Sequence, residues 1–145
     1  MVESRALPCV VLADDDPDDC LLMCDAFSEA GVQVELHTLQ DGEMLLDFLL
    51  CREGQTGCAT GALPVLVVCD INMPRLSGLE AVRQLRAEDR LASVPVVMMT
   101  SSRREEDRQR SFDCGASGHY VKPSSYREMV DMVREIMARF VSRTA

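Results

Sequence analysis

Residues 63–74 read LPVLVVCDINMP. From Leu63 to Cys69 the run is almost wholly apolar, and it stops at Asp70. A strand that is apolar on both faces belongs inside a parallel sheet covered by helices on each side. Pro8 to Ala13 (PCVVLA) and Val94 to Met99 (VPVVMM) repeat the pattern. Gln33 to Thr38 alternates more weakly, and Gly118 to Val121 is short. Five strands are expected, in one α/β domain.

Helical patterns fill the gaps. Asp16-Pro17 sets an N-cap before a proline at the first helical position, and Asp18 and Asp19 suit the helix dipole there. Ser77-x-x-Glu80, Ser102-x-x-Glu105 and Ser125-x-x-Glu128 read as capping boxes. Asp41 caps a helix expected to run to about Arg52. Apolar stripes follow at helical spacing: Cys20, Cys24 and Phe27; Leu79, Val82 and Leu85; Tyr126, Val130, Val133, Met137 and Phe140. Gly31 and Gly115 fall where left-handed C-terminal caps belong. The segment Glu53 to Ala62 (EGQTGCATGA) reads as a surface loop. The result is (βα) five times over: a doubly wound parallel sheet, one domain over 1–145 with its core at about 8–141.

Composition narrows the function. The chain has 145 residues, with 24 acidic against 15 basic and a net charge of −9. Such a chain repels a phosphate backbone, so no nucleic-acid partner is expected. No apolar run reaches membrane-spanning length and no signal peptide is evident, so a cytoplasmic protein without a membrane partner is expected. Seven cysteines, with no CxxC, read as free thiols in a reducing compartment; Cys9, Cys20, Cys24 and Cys69 serve as small hydrophobes.

In an open parallel sheet, ligands gather at the carboxyl ends of the strands. The first run ends in Asp14-Asp15-Asp16, the third in Asp70, the fourth in Thr100 and the fifth in Lys122. Were these strands adjacent, carboxylates, a hydroxyl and an ammonium would share one pocket. Clustered carboxylates raise one another's pKa unless a cation intervenes. Oxygen donors suit Mg²⁺. Metal, hydroxyl and ammonium together match the charge neutralisation that phosphoryl transfer needs, and an aspartate can itself be the nucleophile.

The set Asp14-Asp15, Asp70-Ile71-Asn72-Met73-Pro74, Gly78, Thr100 and Lys122-Pro123 closely resembles the receiver domain of two-component response regulators, over roughly Cys9 to Phe140. The resemblance implies a flavodoxin-like strand order 2-1-3-4-5. It implies that Asp70 is the phosphoacceptor, served by a sensor histidine kinase or histidine phosphotransfer protein. Asp14, Asp15, Asp70 and the carbonyl of Asn72 would hold Mg²⁺. Thr100 and Lys122 would engage the phosphoryl group, and Lys122-Pro123 would be cis. His119 stands where the family often has an aromatic that reports phosphorylation. The Glu53 to Ala62 loop is longer than in minimal receivers and is similar to that of stand-alone regulators that partner bacteriophytochromes. A homodimer is one form the active state could take.

Taken singly, these residues have plainer readings. Asp16, Asp18 and Asp19 suit a helix start, Thr100 a turn hydroxyl, Lys122 a solvated charge, and His37 an edge-strand surface residue. Arg103 to Arg110 reads as a solvated helix face. The alternative function is a pseudo-receiver, a protein-binding module that is never phosphorylated. A phosphatase with an aspartyl-phosphate intermediate fits less well, because such enzymes commonly carry Asp-x-Asp-x-Thr after the first strand.

Overall fold

The computed structural model describes residues 7–50 and 63–141. Along the chain run β1 (Cys9–Ala13), α1 (Pro17–Glu29), β2 (Glu35–Leu39), α2 (Gly42–Leu49), β3 (Leu66–Asp70) and α3 (Gly78–Arg86). A 3₁₀ turn (Asp89–Leu91), β4 (Val96–Thr100), α4 (Glu105–Asp113), β5 (Gly118–Val121) and α5 (Tyr126–Phe140) follow. The strands form one sheet in the order β2-β1-β3-β4-β5, with every pairing parallel. This is the doubly wound α/β fold that the strand pattern called for, in the flavodoxin-like order that the family resemblance implied.

Alternation along each strand feeds two cores. Val11, Val67 and Met98 face Leu45 and Leu49 of α2 and Leu79, Val82 and Leu85 of α3. Val10, Leu12, Val68 and Met99 face Met23 and Phe27 of α1 and Val130, Val133 and Ile136 of α5. Each fully buried Leu or Phe contributes about 1.5–3 kcal/mol relative to exposure. Arg86, at the end of α3, braces the opposite end of the sheet from the acidic strand ends. Its guanidinium donates to the carbonyls of Gly115 (2.8 Å), Leu91 (3.0 Å) and Val94 (2.8 Å).

The helix starts follow the capping residues. Asp16 accepts from the Asp18 amide (2.9 Å), Asp41 from Met44 (2.8 Å), Ser77 from Glu80 (3.2 Å) and Ser125 from Glu128 (3.1 Å). Gly31 and Gly115 take positive φ, +76° and +107°, just past α1 and α4.

Several expectations are corrected. Ser102 does not open α4: its hydroxyl accepts from the Arg104 amide, and its own amide donates to Thr100 Oγ1. Two short side-chain turns thus occupy the backbone donors, and the helix begins at Glu105 without a side-chain cap. α2 ends at Leu49 with Leu50 as its cap, short of Arg52. Tyr126, at the first position of α5, is 42% exposed, and Ile136 fills the core instead. His37 does lie on the edge strand β2, but it is partly buried there, paired with Glu35 and tilted against Phe48 with ring centroids 4.8 Å apart. Cys9 is disulfide-bonded rather than a free thiol. The Glu53 to Ala62 loop, Cys51 and Cys58 lie outside the described residues. Among those residues no helix is long and apolar enough to cross a membrane.

Candidate functional site

Three strand ends converge as β1, β3 and β4 lie side by side. Asp14 follows β1 and is 9% exposed, whereas Asp15 is open to solvent. Asp70 closes β3, the central strand. One carboxylate oxygen from each of Asp14, Asp15 and Asp70 lies within 4.8 Å of the other two. Thr100 closes β4 and is 1% exposed.

Lys122 reaches this cluster from just beyond β5. Its Nζ lies 2.8 Å from Asp14 Oδ2, 2.8 Å from Asp19 Oδ2 and 3.3 Å from Asp70 Oδ2. Burial works against the Lys122 charge, but the hydrogen bonds to Asp14 and Asp19 and the field of Asp70 overcome it. The ammonium is held above its usual pKa. The expected cis bond before Pro123 is absent, since every described peptide is trans. The trans form of an X-Pro bond is the lower in energy by about 0.5–1 kcal/mol, and Lys122 meets its three carboxylates from it.

Asp70 is tuned by its surroundings. Burial raises its pKa, and Asp14 adds to that; Lys122 and the Asn72 amide, 3.3 Å from Oδ1, pull the other way. The net direction is upward. Neighbouring thiols stay protonated: burial and Asp14 push Cys20 up to about 11, and burial raises Cys69 further.

The loop after Asp70 is held tightly. The Gly78 amide donates to the Ile71 carbonyl (2.8 Å), which folds the chain back into α3. A Cβ on Gly78 would lie 2.0 Å from the Asp70 carbonyl oxygen, so only glycine fits. The Asp14 side chain is set by the Asp16 amide, which donates to its Oδ1 at 2.9 Å.

Asp19 is the residue that sequence reading missed. Its first-turn position reads as a partner of the helix dipole, yet Asp19 holds Lys122 from the third position of α1. No local signal marked it, because an acidic residue in a first turn reads equally well as a partner of the helix dipole.

His119 pairs with Met98 across β4 and β5, one alternation below Thr100 on the same sheet face. Burial lowers its pKa, with Arg108 adding to the effect and Asp107 and Glu105 opposing it. A second donor cluster, Cys9, Glu35 and His37, lies elsewhere, on β1 and β2. The disulfide on Cys9 leaves it no thiolate to offer a metal.

The model of the response regulator receiver domain matches residues 10–134, and the chain belongs to that family. FilR2 of Methanothrix harundinacea, described as a probable methanogenesis regulatory protein, is 29% identical over 127 residues, covering 88% of this chain and 79% of that protein. Other curated relatives extend further: the chain spans half of one and a third of several. Among solved structures, the response regulator RPA3017 in red light signaling of R. palustris is 27% identical with a TM-score of 0.81, covering 96% of this chain and all of that one. The bacteriophytochrome response regulator RtBRR is 29% identical with a TM-score of 0.75, covering 96% and 83%.

The acidic cluster suits a divalent cation. Four carboxylates, those of Asp14, Asp15, Asp19 and Asp70, face one lysine, and Asp15 has no part in the lysine contacts. Asp15→Asn should therefore stabilise the metal-free protein by about 1 kcal/mol, the scale of one screened repulsion at this separation. The same change should weaken Mg²⁺ binding. Thermal melts with and without Mg²⁺ check both effects, and a lower metal-free melting point would refute the repulsion.

Proposed function

We propose that the protein takes a phosphoryl group on Asp70 and signals through the resulting change of shape. The observation that carries this reading is Asp70 itself. It ends the central strand, 3.3 Å from Lys122 Nζ and beside the carboxylates of Asp14 and Asp15. An Asp70 carboxylate oxygen would supply the electron pair for the new O–P bond. The P–N bond of a phosphohistidine donor would break, and its electrons would stay with the imidazole nitrogen, which then takes up a proton.

The donor set fits Mg²⁺: carboxylates of Asp14, Asp15 and Asp70, with the Asn72 carbonyl as a further oxygen ligand. Once bound, the ion would neutralise charge on the transferring oxygens. Lys122 would trade a carboxylate for a phosphoryl oxygen. The Thr100 hydroxyl, whose oxygen already accepts from the Ser102 amide, has its proton left to donate to the phosphoryl group. Self-directed chemistry of this kind makes the protein a phosphoacceptor rather than a turnover enzyme.

The expected donor is a sensor histidine kinase or histidine phosphotransfer protein in the cytoplasm. Likeness to RPA3017 and RtBRR supports a photoreceptor kinase of the phytochrome type as the source. Incubation with a small acyl phosphate and Mg²⁺ should give a hydroxylamine-labile adduct located on Asp70 by mass spectrometry. Asp70→Asn should abolish it. Labelling that persists in that variant would refute the assignment to Asp70, and a wild-type protein that takes no label would favour the pseudo-receiver.

A further inference from the structure

α4 is attached to the sheet in an unusual way. Of its nine residues only Ser111 is buried, at 0% exposure. The other helices each bury several apolar side chains. The one group α4 sends inward is a hydroxyl, and that hydroxyl meets β5: Ser111 Oγ lies 3.0 Å from His119 Nδ1.

The proton arrangement follows from the partners. Ser111 Oγ donates to the Asp107 carbonyl at 2.9 Å, and a carbonyl can only accept. The single hydroxyl proton is thereby used. Oγ therefore faces His119 as an acceptor, and Nδ1 carries the proton. Ionisation of the ring adds its proton at Nε2, so the Ser111 bond survives in both charge states.

We propose that Ser111 is the positioning residue that docks α4 onto β5 and holds His119 away from Thr100. An imidazole engaged with Ser111 is not free to swing along its sheet face toward the Thr100 hydroxyl. Turning it releases the one buried side chain that α4 contributes. Docking of α4 and orientation of His119 are thus one equilibrium, read from either end. The link to Thr100 rests on the phosphoacceptor reading; the docking itself does not.

Three variants test the idea: Ser111→Ala, His119→Phe and the double change. In the protein without phosphoryl mimic, amides of residues 105–113 should exchange about three- to tenfold faster in each single variant, the scale of one lost hydrogen bond. The double variant should be no faster than either single one, because both remove the same contact. Nitrogen-detected NMR of His119 should show the Nδ1-protonated form in wild type and lose it in Ser111→Ala. Unchanged exchange in Ser111→Ala, or multiplicative effects in the double variant, would overturn the docking role.

A second arm uses Mg²⁺ with beryllofluoride. Ser111→Ala should respond at about three- to tenfold lower fluoride complex concentration than wild type. An equal response in the two proteins would overturn the hold on His119. No response in either would instead sink the phosphoacceptor reading, with the exchange data still deciding the docking.

Discussion

Lys122→Ala should lose about 2–4 kcal/mol of stability at neutral pH without divalent metal. Lys122 is 16% exposed at its side chain, and its Asp14 and Asp70 partners are 12% and 11%. Removing the ammonium leaves Asp14, Asp19 and Asp70 converging with no countercharge. Asp70, whose pKa burial and Asp14 already raise, then loses the pull of Lys122 that held it down. A raised carboxylate pKa costs stability as pH climbs through it, so the defect is largest at neutral pH and shrinks on acidification. Mg²⁺ should restore much of the loss, because it supplies the missing charge to the same oxygens. Urea unfolding at neutral and acidic pH, with and without Mg²⁺, measures all of this. A variant as stable as wild type in metal-free neutral buffer would show that the three carboxylates do not repel as their convergence on Lys122 requires.

Gly78→Ala should be as damaging for a steric reason. The added Cβ would sit 2.0 Å from the Asp70 carbonyl oxygen and 3.1 Å from Cys69 Sγ. The first of these is backbone of the central strand and cannot swing aside. A loss of about 3 kcal/mol or more is expected, at the upper end for overpacking, together with poor phosphoryl uptake because Asp70 itself is displaced. Gly31→Ala provides the contrast. Gly31 also bears a positive φ, +76°, but a Cβ there meets nothing within 4 Å, so only the left-handed conformational cost of about 1 kcal/mol applies. Denaturant midpoints of the two variants compare them directly, and equal losses would show that the close approach at Gly78 is not the reason for its glycine.

The parts of this molecule that could be read in advance are those written locally. β3 is apolar on both faces, and that alone places it inside a parallel sheet. Asp16, Asp41, Ser77 and Ser125 cap their helices through amides two or three residues away, so the signal and its partner sit in one short window. Asp14, Asp70, Thr100 and Lys122 could be read because each ends a strand, and strand ends in this topology share one rim. The Asp19 contact could not be read, since its partner lies 103 residues on and nothing in an acidic first turn distinguishes a dipole partner from a lysine ligand. Ser102 misled for the opposite reason. It bonds locally, but to the turn before the helix, and a sequence pattern cannot say which of two nearby amides a serine will take.

A helix that commits only one residue to the interior leaves the rest of its sequence unconstrained by packing. Every residue of α4 except Ser111 lies outside the buried core, and substitutions at such positions usually change stability by no more than about 0.5 kcal/mol. Single substitutions at the exposed residues 105, 106, 108–110, 112 and 113 should therefore leave the fold intact. Mutational drift there meets little resistance from folding, whereas β3 and its flanking glycine admit almost none.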